Sequence, residues 1–173
     1  ETMMIFNDEG KIDSIVPTSR NEAHKIIEEC MLAANVCAAN YLEANKHAAV
    51  YRVHEGPSAE KLELLRTFMS GFGFSVAGGD KPHTKDYAKL MSQIKGRPDE
   101  QLLQTVLLRS MQQAVYSPDN QGHFGLAYEA YTHFTSPIRR YPDLLVHRAI
   151  KAVVNKETYK VKDWADLGTH CSL

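Results

Sequence analysis

Residues 123–143 read HFGLAYEAYTHFTSPIRRYPD. Aromatic rings, two histidines, two adjacent arginines and three Gly/Pro residues share this short stretch. That mixture does not suit a plain core element. Residues 126–133 read as a strand, by β-propensity and alternation. Ser136-Pro137 can cap and start a helix, so Pro137 or Pro142 begins a helical run through residue 154. A guanidinium fork near a helix N-terminus, beside aromatic faces, matches the needs of a phosphate-and-base ligand. The stretch therefore predicts a strand–turn–helix unit and points to nucleic acid.

Working outward, residues 3–17 read as a β-hairpin around Asn7, Asp8, Glu9 and Gly10. Ser19 offers an N-cap for a long helix over 20–44. Its expected core face is Ala23, Ile26, Ile27, Cys30, Ala34, Cys37, Ala38 and Tyr41. Residues 49–54 suit a short strand. A second helix opens at Gly56-Pro57-Ser58 and ends at Gly71 and Gly73. A third spans 85–94, and a fourth begins with Pro98 in its first turn. Residues 117–122 read as a polar loop, and 162–171 as a last helix. The fold class is α+β, dominated by helix, with a short N-terminal β-hairpin and a few strands packed on helices. Residues 1–173 read as one domain, with no repeat, low-complexity tract or linker.

The chain has 173 residues, 43% hydrophobic and 24% charged. That is enough to bury a core without disulfides or metals. Net charge is −1 and the pI is about 6.8. Coating duplex DNA by charge alone usually takes a more basic protein, so any nucleic-acid contact is local. Cys30, Cys37 and Cys171 form no CxxC pair and read as buried thiols in a reducing, cytoplasmic setting. No run is apolar enough to span a membrane, and no dinucleotide fingerprint is present.

Two constellations could carry chemistry. On the first long helix, His24, Glu28, Met31 and Asn35 share a stripe away from the expected core face. Glu28 could accept hydrogen bonds from a base or a sugar hydroxyl, although a solvated helix face explains the same spacing. In the later helix, Arg139, Asp143 and His147 would step along one side, above an apolar face of Ile138, Tyr141, Leu145, Ala149 and Val153. Arg139 would meet a phosphate with Asp143 orienting it. As an ordinary surface pair the two would contribute only ~0.3–0.5 kcal/mol. Arg140 points elsewhere, as a structural group or a peripheral phosphate contact. His123 and His133 have no metal-ligand spacing. Phe124, Tyr128, Tyr131 and Phe134 could stack on bases, though such rings are more often core. The aspartates are scattered, so no carboxylate cluster for two metal ions is visible.

Two stretches, RNEAHKIIEECMLAANVCAA (residues 20–39) and HFGLAYEAYTHFTSPIRRYPDLLVHRAI (residues 123–150), together resemble the RNB catalytic domain of the ribonuclease II/ribonuclease R family. LLRSMQQAVYSP resembles its bacterial ribonuclease R branch. The resemblance implies the C-terminal portion of an RNB domain, truncated at both ends. It implies a processive 3′→5′ exoribonuclease that hydrolyses single-stranded RNA with Mg²⁺ to nucleoside 5′-monophosphates. By position, Arg139 resembles the family's catalytic arginine at the scissile phosphate. Glu28 resembles the glutamate that helps hold the 3′-terminal nucleotide. His24, Asn35, His123, Tyr131, Ser136 and Arg140 are further candidates for substrate contact. The resemblance places the Mg²⁺ ligands upstream of this chain, so the isolated piece is expected to be inactive. A non-catalytic RNA-binding or protein-interaction module on a degenerate RNB-like scaffold is the alternative.

Overall fold

The computed structural model describes residues 2–17 and 21–173. The chain divides into two compact units, Glu1–Ala33 and Ala34–Leu173.

In the first unit, β1 (Thr2–Phe6) pairs antiparallel with β2 (Ile12–Pro17), with Met4 opposite Ile15. The turn forms because the Asn7 carboxamide oxygen accepts from the Glu9 and Lys11 amides and Gly10 takes a φ of +73°. Met3, Met4, Phe6, Ile12 and Ile15 are each more than half exposed. The hairpin is followed by α1 (Glu22–Ala44). The expected cap, Ser19, lies outside the described residues. Asn21 makes a reciprocal cap instead: its side-chain oxygen accepts from the His24 amide, and its own amide donates to His24 Nδ1.

The second unit holds the rest of α1, then β3 (Tyr51–Val53), α2 (Ala59–Ser70), α3 (Thr84–Ile94), α4 (Glu100–Ser110), β4 (Val115–Ser117), α5 (Tyr141–Val154) and α6 (Trp164–Ser172). Strands β3 and β4 pair antiparallel. The α+β, helix-dominated class holds. Two large apolar clusters, and a small third of Ala39, Tyr51, Val53 and Ala130, make the core of the described residues. In one, Leu62, Leu65 and Met69 of α2 meet Tyr87, Leu90 and Ile94 of α3 and Leu103 and Leu107 of α4. In the other, Ala38 and Leu42 of α1 and Ala49 and Val50 pack with Leu145, Val146 and Ala149 of α5. Each fully buried leucine contributes about 1.5–3 kcal/mol.

Several expectations are corrected. Residues 126–133 form no strand: a 3-10 turn, Phe124–Leu126, ends at Ala127 with φ +58°. That left-handed residue breaks any ladder. An unexpected strand, β4, precedes the polar loop and takes in only its first residue, Ser117, pairing with β3. Helix α4 starts at Glu100, two residues after Pro98.

The apolar face of α1 is also re-phased. Asn35, Ala38, Ala39 and Leu42 are its buried side chains, whereas Ile26, Ile27, Cys30, Cys37 and Tyr41 are exposed. The largest side chains drew the sequence reading to one face. The small Ala38 and Ala39 permit closer packing, and Asn35 can be buried because both ends of its amide are hydrogen-bonded. The cysteines, expected to be buried, are free thiols that are exposed at 30 and 37 and half-buried at 171.

Candidate functional site

Residues 130–136 lack regular secondary structure, yet side chains and backbone from distant elements hold them at nearly every step. The Arg52 amide donates to the Tyr131 carbonyl at 2.8 Å. Thr132 Oγ1 donates to the Val50 carbonyl at 2.6 Å. The Asn35 side-chain oxygen accepts from the Phe134 amide, and the His147 ring nitrogen Nε2 lies 2.8 Å from the Phe134 carbonyl, donating to it. The His147 ring also stacks on Phe134, centroids 4.1 Å apart and 7° from parallel. The Ser136 amide donates to Asp143 Oδ1 at 2.7 Å. Thr135 Oγ1 is buried and has no hydrogen-bond partner among the described residues.

The arginine pair splits, but not as the helical spacing predicted. Helix α5 starts at Tyr141, with Pro142 in its first turn and Arg140 as an extended N-cap. Arg139 therefore precedes the helix, in the turn after Ser136-Pro137, and the expected step from Arg139 to Asp143 does not exist. Arg140 takes that partner: Nε donates to Oδ2 at 2.9 Å and Nη2 to Oδ1 at 2.7 Å. Asp143 is fully buried and accepts three hydrogen bonds, including the one from Ser136. Two parallel bonds to a desolvated carboxylate make the Arg140 link strong and directional. Arg139 is exposed, and its guanidinium makes no hydrogen bond or ion pair among the described residues. Ile138, expected on the apolar face of the helix, is fully exposed.

Histidines and tyrosines form a second layer. His123 caps the 3-10 turn, its Nδ1 accepting from the Leu126 amide. Its ring lies 5.0 Å from His54 and 5.3 Å from Tyr131. Burial, then the neighbouring His54, pushes its pKa down to about 4. Burial, then Arg140, does the same for His133, against the opposing pull of Asp143. His54 Nδ1 accepts from the Gly125 amide, so its proton sits on Nε2 and is donated to the Gln112 carbonyl. Tyr131, a candidate for substrate contact, is only 4% exposed; its hydroxyl accepts from the Asn35 amide at 2.9 Å. Asn35 and Tyr131 thus act as scaffold for the loop in this arrangement. Tyr128 lies parallel to Tyr131, 5.9 Å away, and is half-exposed.

A cleft of about 1040 Å³ opens beside this layer, between the end of β3, the first turn of α3 and residues 120–129. His54, Glu55, Lys85, His123, Tyr128 and Glu129 are among its lining residues, and Arg139 is not. Its walls carry more carboxylates than cations, which disfavours a phosphodiester there.

The remaining candidates, His24 and Glu28, belong to the first unit. The His24 ring is committed to the α1 cap. Glu28 sits half-exposed on α1. Among the described residues no group of three or more His, Cys, Asp or Glu side chains could hold a metal ion. No described helix is long and apolar enough to cross a membrane.

The sequence reading missed the Arg140–Asp143 link. Its signal was present: Pro142 in a first turn with a carboxylate one residue later matches an N-cap at 140 and an acidic N3 at 143. His54, His147 and Thr132, which hold the loop and its neighbours, carry no local signal, because their partners are 13 to 82 residues away.

The RNB domain family matches residues 1–156. Ribonuclease R of Vibrio cholerae is 56% identical over 169 residues, which cover 97% of this chain and 21% of that protein. The chain thus spans about a fifth of the length of this relative. The solved structure of Mycoplasma genitalium RNase R in complex with double-stranded RNA superposes with a TM-score of 0.88 at 27% identity, over 99% of this chain and 32% of that one. Yeast Ssd1, described as a pseudonuclease, superposes with a TM-score of 0.74 at 27% identity, over 88% of this chain and 20% of that one. A match over nine-tenths of its length, through both the α1 and the SPIRRYPD segments, shows that this chain belongs to the RNB domain family.

Proposed function

We propose that this chain is one continuous, C-terminal portion of the RNB catalytic domain of a cytoplasmic, processive 3′→5′ exoribonuclease. Its substrate is single-stranded RNA and its products are nucleoside 5′-monophosphates. The observation that carries the reading is the contrast between two adjacent guanidiniums. Arg140 is saturated by a buried carboxylate, while Arg139 is exposed with no partner among the described residues. An available guanidinium on a braced turn suits the oxygens of a phosphoryl group, where charge builds as the bond breaks. Glu28 helps to hold the 3′-terminal nucleotide through hydrogen bonds to its sugar. Ser136 and Arg140 lie beside Arg139 along the RNA, with Asn35 and Tyr131 bracing the loop that carries them, whereas the His24 ring is committed to the α1 cap and His123 lines the cleft unsuited to a phosphodiester.

Hydrolysis in this family implies Mg²⁺. The described residues do not fit a metal site, lacking any group of three or more His, Cys, Asp or Glu side chains that could hold one. The chain alone is accordingly expected to leave RNA intact. The likeness to the yeast pseudonuclease favours a second reading, an RNB scaffold that binds RNA without cutting it.

Turnover of a single-stranded substrate by the full-length protein separates the two. Arg139→Ala is expected to lower turnover ~10²–10³-fold, the usual cost of losing one transition-state donor. Glu28→Ala is expected to change handling of the terminal nucleotide in a folded protein. Turnover unaffected by Arg139→Ala removes the phosphate role. A full-length protein that binds RNA but never degrades it establishes the scaffold.

A further inference from the structure

We propose that Asp143 is a positioning residue for Arg139, acting through Arg140 and the Ser136 amide. The inference rests on the reading of Arg139 as the phosphate-facing group. Arg139 sits on a tight turn in which the Ser136 carbonyl accepts from the amides of Arg139, at 3.3 Å, and Arg140, at 3.0 Å. Both ends of that turn are tied to the same carboxylate. The Ser136 amide donates to Asp143 Oδ1, and Arg140 donates to both Asp143 oxygens. The result is a closed ring of hydrogen bonds with Arg139 on its rim.

Little else shapes the rim. Ile138 is fully exposed and Arg139 is exposed, so no packing from either side chain fixes the turn. Pro137 restricts one φ angle only. The carboxylate, in contrast, is immobile: it is fully buried on the first turn of α5, next to the packed Leu145 and Val146. Burying an ion pair is a costly way to gain stability, and an apolar residue often serves as well. What the pair supplies in addition is a defined direction, because a planar fork on a carboxylate admits one arrangement. That direction is passed along one peptide unit to Arg139.

The test uses the full-length enzyme and a single-stranded substrate, reading kcat, KM and the thermal midpoint. Asp143→Asn keeps the size of the side chain and an acceptor for Ser136 but removes the charge that holds Arg140. It is expected to lower kcat about 10²-fold, the scale of a misplaced catalytic group, with little change in KM. Combined with Arg139→Ala it is expected to add no further loss of kcat, while lowering the thermal midpoint equally in both backgrounds. Arg140→Lys, which keeps the charge and loses the parallel bonds, is expected to follow the same pattern and serves if Asp143→Asn does not fold. An equal kcat loss with and without Arg139, or a fall in thermal midpoint alone, overturns the proposal. Unchanged kcat in Arg139→Ala overturns the phosphate reading itself, and the positioning role with it.

Discussion

The Tyr116 hydroxyl lies 2.6 Å from His133 Nδ1, with the rings edge-on at 5.6 Å. Burial raises the tyrosine pKa and lowers that of the histidine, so the phenol donates and the imidazole accepts. The Arg52 guanidinium covers the other partner, 4.6 Å from the Tyr116 ring centre. Arg52 and Arg140 both oppose a charge on His133, and Asp143 favours it.

His123 and His133 each titrate at about 4 in the folded chain, against an ordinary value of 6.5. Between these values the unfolded chain binds protons that the folded chain does not. Their contribution to stability is therefore complete above 6.5 and is lost as the pH falls toward 4. Thermal midpoints measured across this window should drop steadily for the parent protein. His133→Gln retains a hydrogen-bonding group and removes one titration, so its midpoints should fall less steeply. Identical slopes in the two proteins would show that His133 is not held unprotonated by its surroundings.

The two arginines should separate by stability as well as by turnover. Arg140→Ala leaves the fully buried Asp143 carboxylate without its counter-ion and is expected to cost about 3 kcal/mol. Arg139→Ala removes an exposed side chain that has no partner among the described residues and should stay within about 0.5 kcal/mol of the parent. Denaturant unfolding of both variants checks the contrast. Equal costs would mean that Arg139 has structural contacts of its own.

Asn35→Leu should destabilise through two orphaned groups rather than through lost volume. The Phe134 amide loses its acceptor and the Tyr131 hydroxyl its donor. Each unsatisfied buried group costs about 1–3 kcal/mol. Adding Tyr131→Phe should recover part of that loss by removing one orphan, which a double-mutant cycle on unfolding free energies measures.

Thr135→Val should act in the opposite sense. Its buried hydroxyl has no partner among the described residues, so the isosteric methyl relieves a desolvation cost of about 1 kcal/mol. In the full-length protein, a higher thermal midpoint with unchanged turnover of RNA is the expected outcome. A higher midpoint accompanied by reduced turnover would assign the hydroxyl to the bound substrate.

Gly168→Ala probes the docking of α6. A Cβ there would lie 2.7 Å from the Tyr116 carbonyl oxygen, a backbone atom of β4 that cannot swing aside. Overpacking of this kind costs about 1–3 kcal/mol. Hydrogen exchange should rise first in α6 and β4; uniform protection would show that the helix shifts to accommodate the methyl.

The helices were legible because each carries its own period and punctuation. Ser58 caps α2 by accepting from the Lys61 amide, as its position before an apolar-periodic run suggests. The hairpin was legible through Asn7 and Gly10, whose local conformations define the turn. Burial on α1 was not legible. Apolarity ranked Ile26 and Ile27 above Asn35, whereas the distant Tyr131 and Phe134 decide that Asn35 is inside. Within the candidate site, helical spacing favoured Arg139 over Arg140 for chemistry. The carboxylate on which that preference leaned, Asp143, binds Arg140 instead, because the helix begins only at Tyr141.

The loop before Ser136 has a consequence for the order of folding. Its hydrogen bonds reach Val50, 82 residues earlier in the chain, and Asn35, 96 and 99 residues earlier. Contacts of such separation repay their loop-closure entropy only after the intervening segments have compacted. Helices α1 to α4 are complete in the chain before this loop begins. The segment that presents Arg139 therefore acquires its shape late, assembled against a core already in place. A refolding experiment that follows hydrogen-exchange protection of the Tyr131 and Phe134 amides beside helical signal should see the two recover at different times, with the loop trailing.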